Sequence, residues 1–464
     1  MLLTIASYGQ KNIGYLRQLI QSYRRMDFEL TVVVVSEAPK DLGEDVEVVV
    51  GLPSRNTWSL PFAHKKVLAQ NLDSFDLFIY SEDDVEVTEE NIRAFLRVTP
   101  KLRDSEIAGF IRHETDDSGA AILTDVHGPF RWKPESVERR GDCIIAEFTN
   151  DHAGFYVLTQ DQLRRAVATG RFLKGPYDGR YGLPETAATD IYTICSFRKV
   201  ICISEFDNFL IRHMSNLYVH RHGVPLPLFK KQIETLIQIS NHGHPATTLC
   251  EMESKMSHLW WSKSLYEKPT AELLDSVPQP ARRILSVGCG WGLTEAELKN
   301  RGAEVTGLAL DSVIGTLAAS SGIEMIYGAL TEGLSRLTGR RFDCLLISDL
   351  LHLLPEPWDI LQRCVQLLES RGHIVIAEVN FQALPIVVKR RLGVSDYAKL
   401  GSFNESGIHP IGVRTVKKRL RRLGLCTDKI HWLHRTQSGT IPRLLRRLGP
   451  LGAERWILRA QKQN

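Results

Sequence analysis

No apolar run in the 464-residue chain approaches the roughly 18 consecutive positions a membrane-spanning helix needs. The opening Met1-Leu2-Leu3-Thr4-Ile5-Ala6-Ser7-Tyr8 lacks the basic start and long apolar centre of a secretion signal, so a cytoplasmic protein is expected. The eight cysteines, at 143, 195, 202, 250, 289, 344, 364 and 426, include no Cys-x-x-Cys pair and are too sparse for a disulfide framework; buried free thiols are expected. There is no internal repeat and no low-complexity tract. What remains is ordinary globular composition, 43% hydrophobic and 24% charged, on a chain long enough for two or three cores.

The formal net charge of +4 is unevenly spread. Residues 383–464 hold 18 Lys+Arg against 4 Asp+Glu, or +14, which leaves 40 − 50 = −10 for residues 1–382. In Val416-Lys417-Lys418-Arg419-Leu420-Arg421-Arg422-Leu423 and Pro442-Arg443-Leu444-Leu445-Arg446-Arg447-Leu448, leucines recur at helical spacing among cations. Such a segment suits peripheral contact with an anionic membrane at its inner face, or packs as a helix with a solvated basic side. Nucleic acid is not expected as a partner, since no aromatic platform is interleaved with the cations.

The first 220 residues alternate strand-like and helix-like segments: Leu2 to Ser7, Ile13 to Arg24, Leu30 to Val35, Val46 to Val50, a helical Ala63 to Asn71, and Leu77 to Tyr80. The same alternation returns later, with strands at 284–287, 304–308, 324–327, 344–348 and 373–379 and helices at 293–300, 312–320 and 357–369. Lys429 to His434 and Trp456 to Ala460 supply two final strands. Both halves read as open, twisted α/β sheets, whose ligands sit beyond the carboxyl ends of the strands. Between them the pattern from Leu226 to about Met256 is helical and is broken by His242-Gly243-His244-Pro245. The expected division is residues 1–222, a helical connector at 223–268, and residues 269–464.

Glu82-Asp83-Asp84 follows the apolar Leu77-Phe78-Ile79-Tyr80. Adjacent acids repel unless a cation relieves them, and Mg²⁺ or Mn²⁺ prefers carboxylate oxygens; an acidic turn leading into the helix near Glu89 is the other reading. The first half resembles glycosyltransferases of the GT-A fold, through Thr4-Ile5-Ala6-Ser7-Tyr8, the Glu-Asp-Asp cluster and Ile211-Arg212-His213-Met214-Ser215-Asn216. The resemblance implies a nucleotide-sugar donor and a divalent metal (Mn or Mg) held by Glu82, Asp84 and His213, with Ser7 and Asp83 on the donor. Glu-Asp-Asp is a variant of that family's usual Asp-x-Asp. In Leu183-Pro184-Glu185-Thr186-Ala187-Ala188-Thr189-Asp190, which resembles the family's acceptor-side acidic motif, Glu185 is the first candidate for a base and Asp190 the second. Helix capping by Glu185 and Thr186 is the alternative. Arg55 is a candidate for phosphate, Trp58 for stacking on a base or sugar, and Asp151 for acceptor hydroxyls.

In the second half, Ile284-Leu285-Ser286-Val287-Gly288-Cys289-Gly290-Trp291-Gly292 carries an apolar run into a loop with glycines at alternate positions. Glycine reaches positive φ and admits a ligand to the backbone, and the next helix offers unpaired N–H groups. Taken alone, the loop fits a dinucleotide-binding unit equally well. With Arg341-Phe342-Asp343-Cys344-Leu345-Leu346-Ile347-Ser348-Asp349 and Ser370-Arg371-Gly372-His373-Ile374-Val375-Ile376, it resembles class I methyltransferases that use S-adenosylmethionine. The resemblance implies cofactor contacts at Gly288, Gly290, Gly292, Asp311 and Asp349, and His352 as a base where the acceptor must lose a proton. Packing between loop and core is the other reading of His352. This sequence departs from the family at Ser286, Ala309 and Ala329, where acids are usual, which makes Asp311 the expected ribose ligand.

The function expected is a fusion of sugar transfer to a glycan or surface-polymer acceptor with methylation of that product, the tether raising effective concentration at the second site. Two rivals stand beside it: a glycosyltransferase with a degenerate scaffold or regulatory methyltransferase-like domain, and a non-enzymatic binding protein.

Overall fold

The computed structural model describes residues 1–126, 128–243, 248–249, 251–434 and 445–463. The chain divides into two units, Met1–His244 and Pro245–Asn464.

The first unit is built on a five-stranded sheet in the order Phe155–Thr159, Leu77–Glu82, Leu2–Ser7, Thr31–Ser36, Val46–Val50. All neighbours are parallel except the antiparallel edge strand Phe155–Thr159. Leu2–Ser7 and Val32 to Ser36 are buried throughout, as expected for strands covered on both faces. Helix Ile13–Tyr23 buries Leu16, Leu19, Ile20 and Tyr23, one face at helical spacing. Thr88 and Asn91 close a capping box on helix Glu89–Val98. Two further sheets complete the unit, one of four strands and one of five.

Helix Leu226–His242 belongs to this unit and is no connector. It stops at Gly243, left-handed at φ 62°, and buries Phe229, Ile233 and Leu236. The Phe229 ring packs on Trp132 and Phe148. The described residues beyond Pro245 fall in the second unit, so the expected segment 223–268 is split rather than forming a separate body. The apolar face of the helix decides this, because it needs a core to cover it.

The second unit holds a seven-stranded sheet in the order Glu324–Ile326, Glu304–Ala309, Arg283–Cys289, Phe342–Ser348, Leu368–Val379, Arg455–Lys462, Leu425–Leu433. The first five strands are parallel, and Arg455–Lys462 runs antiparallel to both its neighbours. Ile284, Cys289, Val305, Cys344, Leu346, Val375 and Ile457 share one core with Leu298 and Ala318. Helix Val413–Arg422 buries Val413, Val416 and Leu420, so the first basic segment is a packed helix with a solvated basic face; Pro442, Arg443 and Leu444 lie outside the described residues. Of the described cysteines, Cys426 alone is exposed and all are free thiols. Among the described residues no helix is long and apolar enough to cross a membrane.

In each main sheet the chain begins at a central strand, adds strands to one side and then crosses to the other. In the first unit the switch lies between Leu2–Ser7 and Leu77–Glu82, and in the second between Arg283–Cys289 and Phe342–Ser348. Open α/β sheets open a ligand crevice at the carboxyl ends of such a pair. Both motifs singled out in the sequence stand there.

Candidate functional site

In the first unit the crevice collects acids and cations from separate elements. Asn12 Nδ2 donates to Asp83 Oδ1 at 2.8 Å and to Asp84 Oδ2 at 3.3 Å. Burial, with the charges of Asp84 and Glu82, raises the Asp83 carboxyl to about 6 against hydrogen bonds that oppose it. Strand Ile111–Thr115 brings Arg112 and Glu114. Arg112 is buried, bonds Asp125 at 3.1 Å and stands 4.0 Å from Glu82. The antiparallel pairing of Phe155–Thr159 with Leu77–Glu82 carries the preceding loop alongside, so that His152 Nε2 lies 3.9 Å from Glu82. Gly154, at φ 65°, leaves space that a Cβ would fill at 2.7 Å from the Glu82 carboxylate.

Glu82, Asp84 and His213 do not converge as a metal triad. His213 sits between two carboxylates, Nδ1 at 2.6 Å from Glu114 and Nε2 at 3.1 Å from Asp84. Burial lowers its basicity, but these two bonds outweigh it and hold the imidazole up at about 9. Glu82 is balanced by His152 and Arg112 despite its burial. Charge that a divalent ion would neutralise is met by side chains whose positions in the sequence gave no hint of it. Among the described residues the group with three ligand atoms within 4.8 Å of one another is Cys143, Cys202 and Glu205, on other elements.

Other expected residues divide. Asp190 is wholly buried and ion-paired to Lys65, with the Tyr177 hydroxyl donating at 2.7 Å; it is a structural anchor and not an available base. Glu185 is half-buried at the first turn of helix Leu183–Thr193, and its charge reaches Tyr80 and Tyr218 at the crevice. Asp151 is held beside Tyr181, whose hydroxyl accepts from its backbone N–H at 2.9 Å, and burial raises its carboxyl. Lys199, pushed down to about 8 by burial, donates to the Asn150 carbonyl at 3.0 Å. Arg55 and Trp58 are exposed on the loop after the far edge strand Val46–Val50, Trp58 at 68%. Ser7 is buried at the carboxyl end of its strand.

In the second unit the glycine loop is in place, with Gly288 at φ 85° and Gly292 at φ 82°, and helix Leu293–Asn300 follows. The chain itself lies against it. Trp291 N–H donates to the Leu265 carbonyl at 2.9 Å and Trp291 Nε1 to the Glu267 carbonyl at 2.7 Å. A Cβ on Gly290 would overlap the Leu265 carbonyl. Lys263 Nζ donates to the Ser348 carbonyl at 2.9 Å and to Glu267 at 2.6 Å, while Ser348 Oγ donates to Glu267 at 2.8 Å. Farther along the sheet, Leu249 N–H reaches the Leu310 carbonyl at 2.8 Å and Leu330 N–H the Leu249 carbonyl at 3.1 Å. Leu249 and residues 251–267 thus form a strap over the carboxyl ends of the strands. The space left among Ser286, Gly288, Gly290, Glu295 and Ser348 is about 20 Å³, room for a single water. A larger cavity of about 620 Å³ lies at the opposite, amino ends, lined by Arg283, Glu304, Arg340 and Glu369, where a doubly wound sheet does not bind its ligand.

A nucleoside-sized cofactor needs a cavity of about 300 Å³ or more, and the space among these described residues is smaller than that with the strap in place. Ser286 Oγ is spent on Glu295 at 2.5 Å. Asp311 is buried, and its Oδ1 accepts from the Val313 and Ile314 N–H groups at 2.8 and 2.7 Å, capping its own turn. Asp349 is held left-handed at φ 46°, with one oxygen on Arg455 at 2.5 Å and the other buried without a partner. His352 is wholly enclosed: Nδ1 meets Glu378 at 2.5 Å and Nε2 the Trp261 carbonyl at 2.7 Å. Burial opposes its charge, but Glu378 and Asp349 raise its pKa. A ring donating from both nitrogens cannot accept a proton, so His352 fastens the strap to the core rather than serving as a base.

Residues 285–376 match the family model described as "Methyltransferase domain". The ubiquinone biosynthesis O-methyltransferase of Alkalilimnicola ehrlichii is 32% identical over 135 residues, 26% of this chain and 55% of that protein. That of Stutzerimonas stutzeri is 24% identical over 138 residues, 27% of this chain and 60% of that protein. The chain therefore spans little more than half the length of these relatives. Among solved structures, the N-methyltransferase NodS of Bradyrhizobium japonicum with S-adenosyl-L-homocysteine is 16% identical at a TM-score of 0.31, covering 43% of this chain and 91% of that one. A SAM-dependent methyltransferase of Archaeoglobus fulgidus is 20% identical at a TM-score of 0.31, covering 40% and 87%. The second unit contains a methyltransferase domain.

Proposed function

We propose that the second unit transfers methyl groups from S-adenosylmethionine once the strap withdraws, and that the first transfers a sugar from a nucleotide-sugar to a glycan or surface-polymer acceptor. The observation carrying the first part is the glycine loop at the switch point of a sheet whose residues 285–376 match the methyltransferase model. The relatives' names favour oxygen as the methyl acceptor. For the first unit, support comes from Glu82, Asp83, Asp84, Arg112 and His213 meeting at the corresponding crevice. The test is calorimetric titration of the full chain with S-adenosylmethionine and with a panel of nucleotide-sugars. Binding of neither in the millimolar range by the wild type, nor by a variant with a loosened strap, overturns both assignments.

The filled cleft and the substitutions at Ser286, Ala309 and Ala329 favour a second reading, a methyltransferase domain retained as scaffold. A strap-loosened variant separates the two, since a gated site then binds cofactor and a scaffold does not.

A further inference from the structure

Helix Leu384–Arg391 buries none of its residues. Ile386 packs on the cluster of Met256, Phe381, Leu400 and Ile408, and this fixes which face turns inward. The other face carries Leu384, Val388 and Leu392 at successive four-residue steps, 39%, 43% and 75% exposed, and Val394 follows at 43%. At 3.6 residues per turn those three fall within about 80° of one another. Large apolar side chains lined up on a solvent face are an association surface rather than scattered exceptions.

The charges around this face are of one sign. Lys389, Arg390 and Arg391 are consecutive and exposed, and the helix has no acid in its first turn. Residues 383–400 hold four Lys+Arg against one Asp, and that Asp396 is tied to Lys399 and the Ser257 N–H. Lys389 lies over the Tyr397 ring at 4.8 Å, and Trp260 meets the same ring at 5.9 Å. Trp260 is itself 40% exposed. An apolar stripe, flanking cations and an amphipathic indole form the pattern that lies in a lipid headgroup region.

We propose that the exposed face of helix Leu384–Arg391, with Leu392, Val394 and Trp260, docks on an anionic phospholipid surface. The leucines and valines enter the acyl boundary, the cations meet lipid phosphates, and Trp260 sits at the interface. This places membrane contact on a helix other than the basic segment at 416–423, whose Val416 and Leu420 are buried.

Flotation of the full chain with vesicles of phosphatidylcholine, alone or mixed with phosphatidylglycerol, tests the proposal. The wild type is expected to float with the anionic vesicles only, with a blue shift of emission that Trp260→Phe removes. Val388→Glu with Leu392→Glu abolishes flotation. Neutralising Lys389, Arg390 and Arg391 to Gln weakens it on the order of 100-fold, since each cation near the lipid contributes about one kcal/mol. All these positions are exposed, and circular dichroism checks that each variant keeps the wild-type fold. The idea fails if the wild type does not float, or if the double Glu variant floats as well as the wild type. It fails equally if the apolar substitutions instead convert a dimer to a monomer, which would make the face a protein interface.

Discussion

Lys263→Met isolates the polar hold of the strap on the cofactor cleft. The ammonium is buried, and its bond to the Ser348 carbonyl at 2.9 Å crosses from strap to sheet, while its bond to Glu267 at 2.6 Å lies within the strap and orients it. Hydrogen bonds to a charged group contribute about 1.5–3 kcal/mol each. Against that stands the desolvation of the ammonium, which methionine, similar in length and apolar, does not incur. A net loss of about 2 kcal/mol of strap closure is expected, equivalent to about a 30-fold larger open fraction. Cofactor affinity scales with that fraction, so Lys263→Met should bind S-adenosylhomocysteine about 30-fold more tightly than the wild type by calorimetry. Unchanged or weaker binding by a variant with wild-type circular dichroism would refute the strap as a barrier.

Three further outcomes follow from buried charges. His352 has a folded pKa raised above its ordinary value, so its contribution is complete below pH ~6.5 and fades as pH rises through the folded value. Denaturant unfolding should therefore show His352→Gln roughly 3 kcal/mol less stable on the acid side, with the gap closing at alkaline pH; a gap independent of pH would show that the ring is not charged. Asp83, raised to about 6, acts in the opposite sense, because ionisation is harder folded than unfolded. Asp83→Asn should stabilise the first unit by roughly 3 kcal/mol above pH 6 and by little under strongly acid conditions, as read from thermal unfolding across pH. Asp190→Asn strands the buried Lys65 ammonium and should cost about 3–5 kcal/mol in urea titration; a fully stable variant would mean that Asp190 is free for chemistry after all.

The reading from sequence located both crevices because motif and strand end coincide in the chain. Glu82-Asp83-Asp84 terminates an apolar strand, and Gly288-Cys289-Gly290 terminates another, so each motif had to emerge at the carboxyl end of a strand. The partners of those motifs were not legible. Arg112 and Glu114 lie on a strand of a different sheet, Asp125 and His213 come from still other segments, and nothing local marks Lys263 or Glu267 as neighbours of a loop more than twenty residues away. One partner does leave a signal in the sequence: Glu378, an acid at the end of the apolar run His373 to Val379, needs a buried partner, and that partner is His352.

Alternation of apolar runs and helical faces was enough to specify two open α/β sheets, since burial on both faces of a parallel strand leaves little choice of residue. Whether the acids and bases of the two sites are available for chemistry was decided at longer range. His213, Asp190, Asp311 and His352 all have residue types suited to ligation or proton transfer, yet each is already bonded by a partner that folding brought to it. A side chain's chemistry is written in its type, but its free lone pairs depend on which other groups must be satisfied once water has been excluded. The glycine loop shows the same division: its backbone conformation follows from glycine, while its occupation by the Leu265 carbonyl follows from a segment that had to cover the same strand ends.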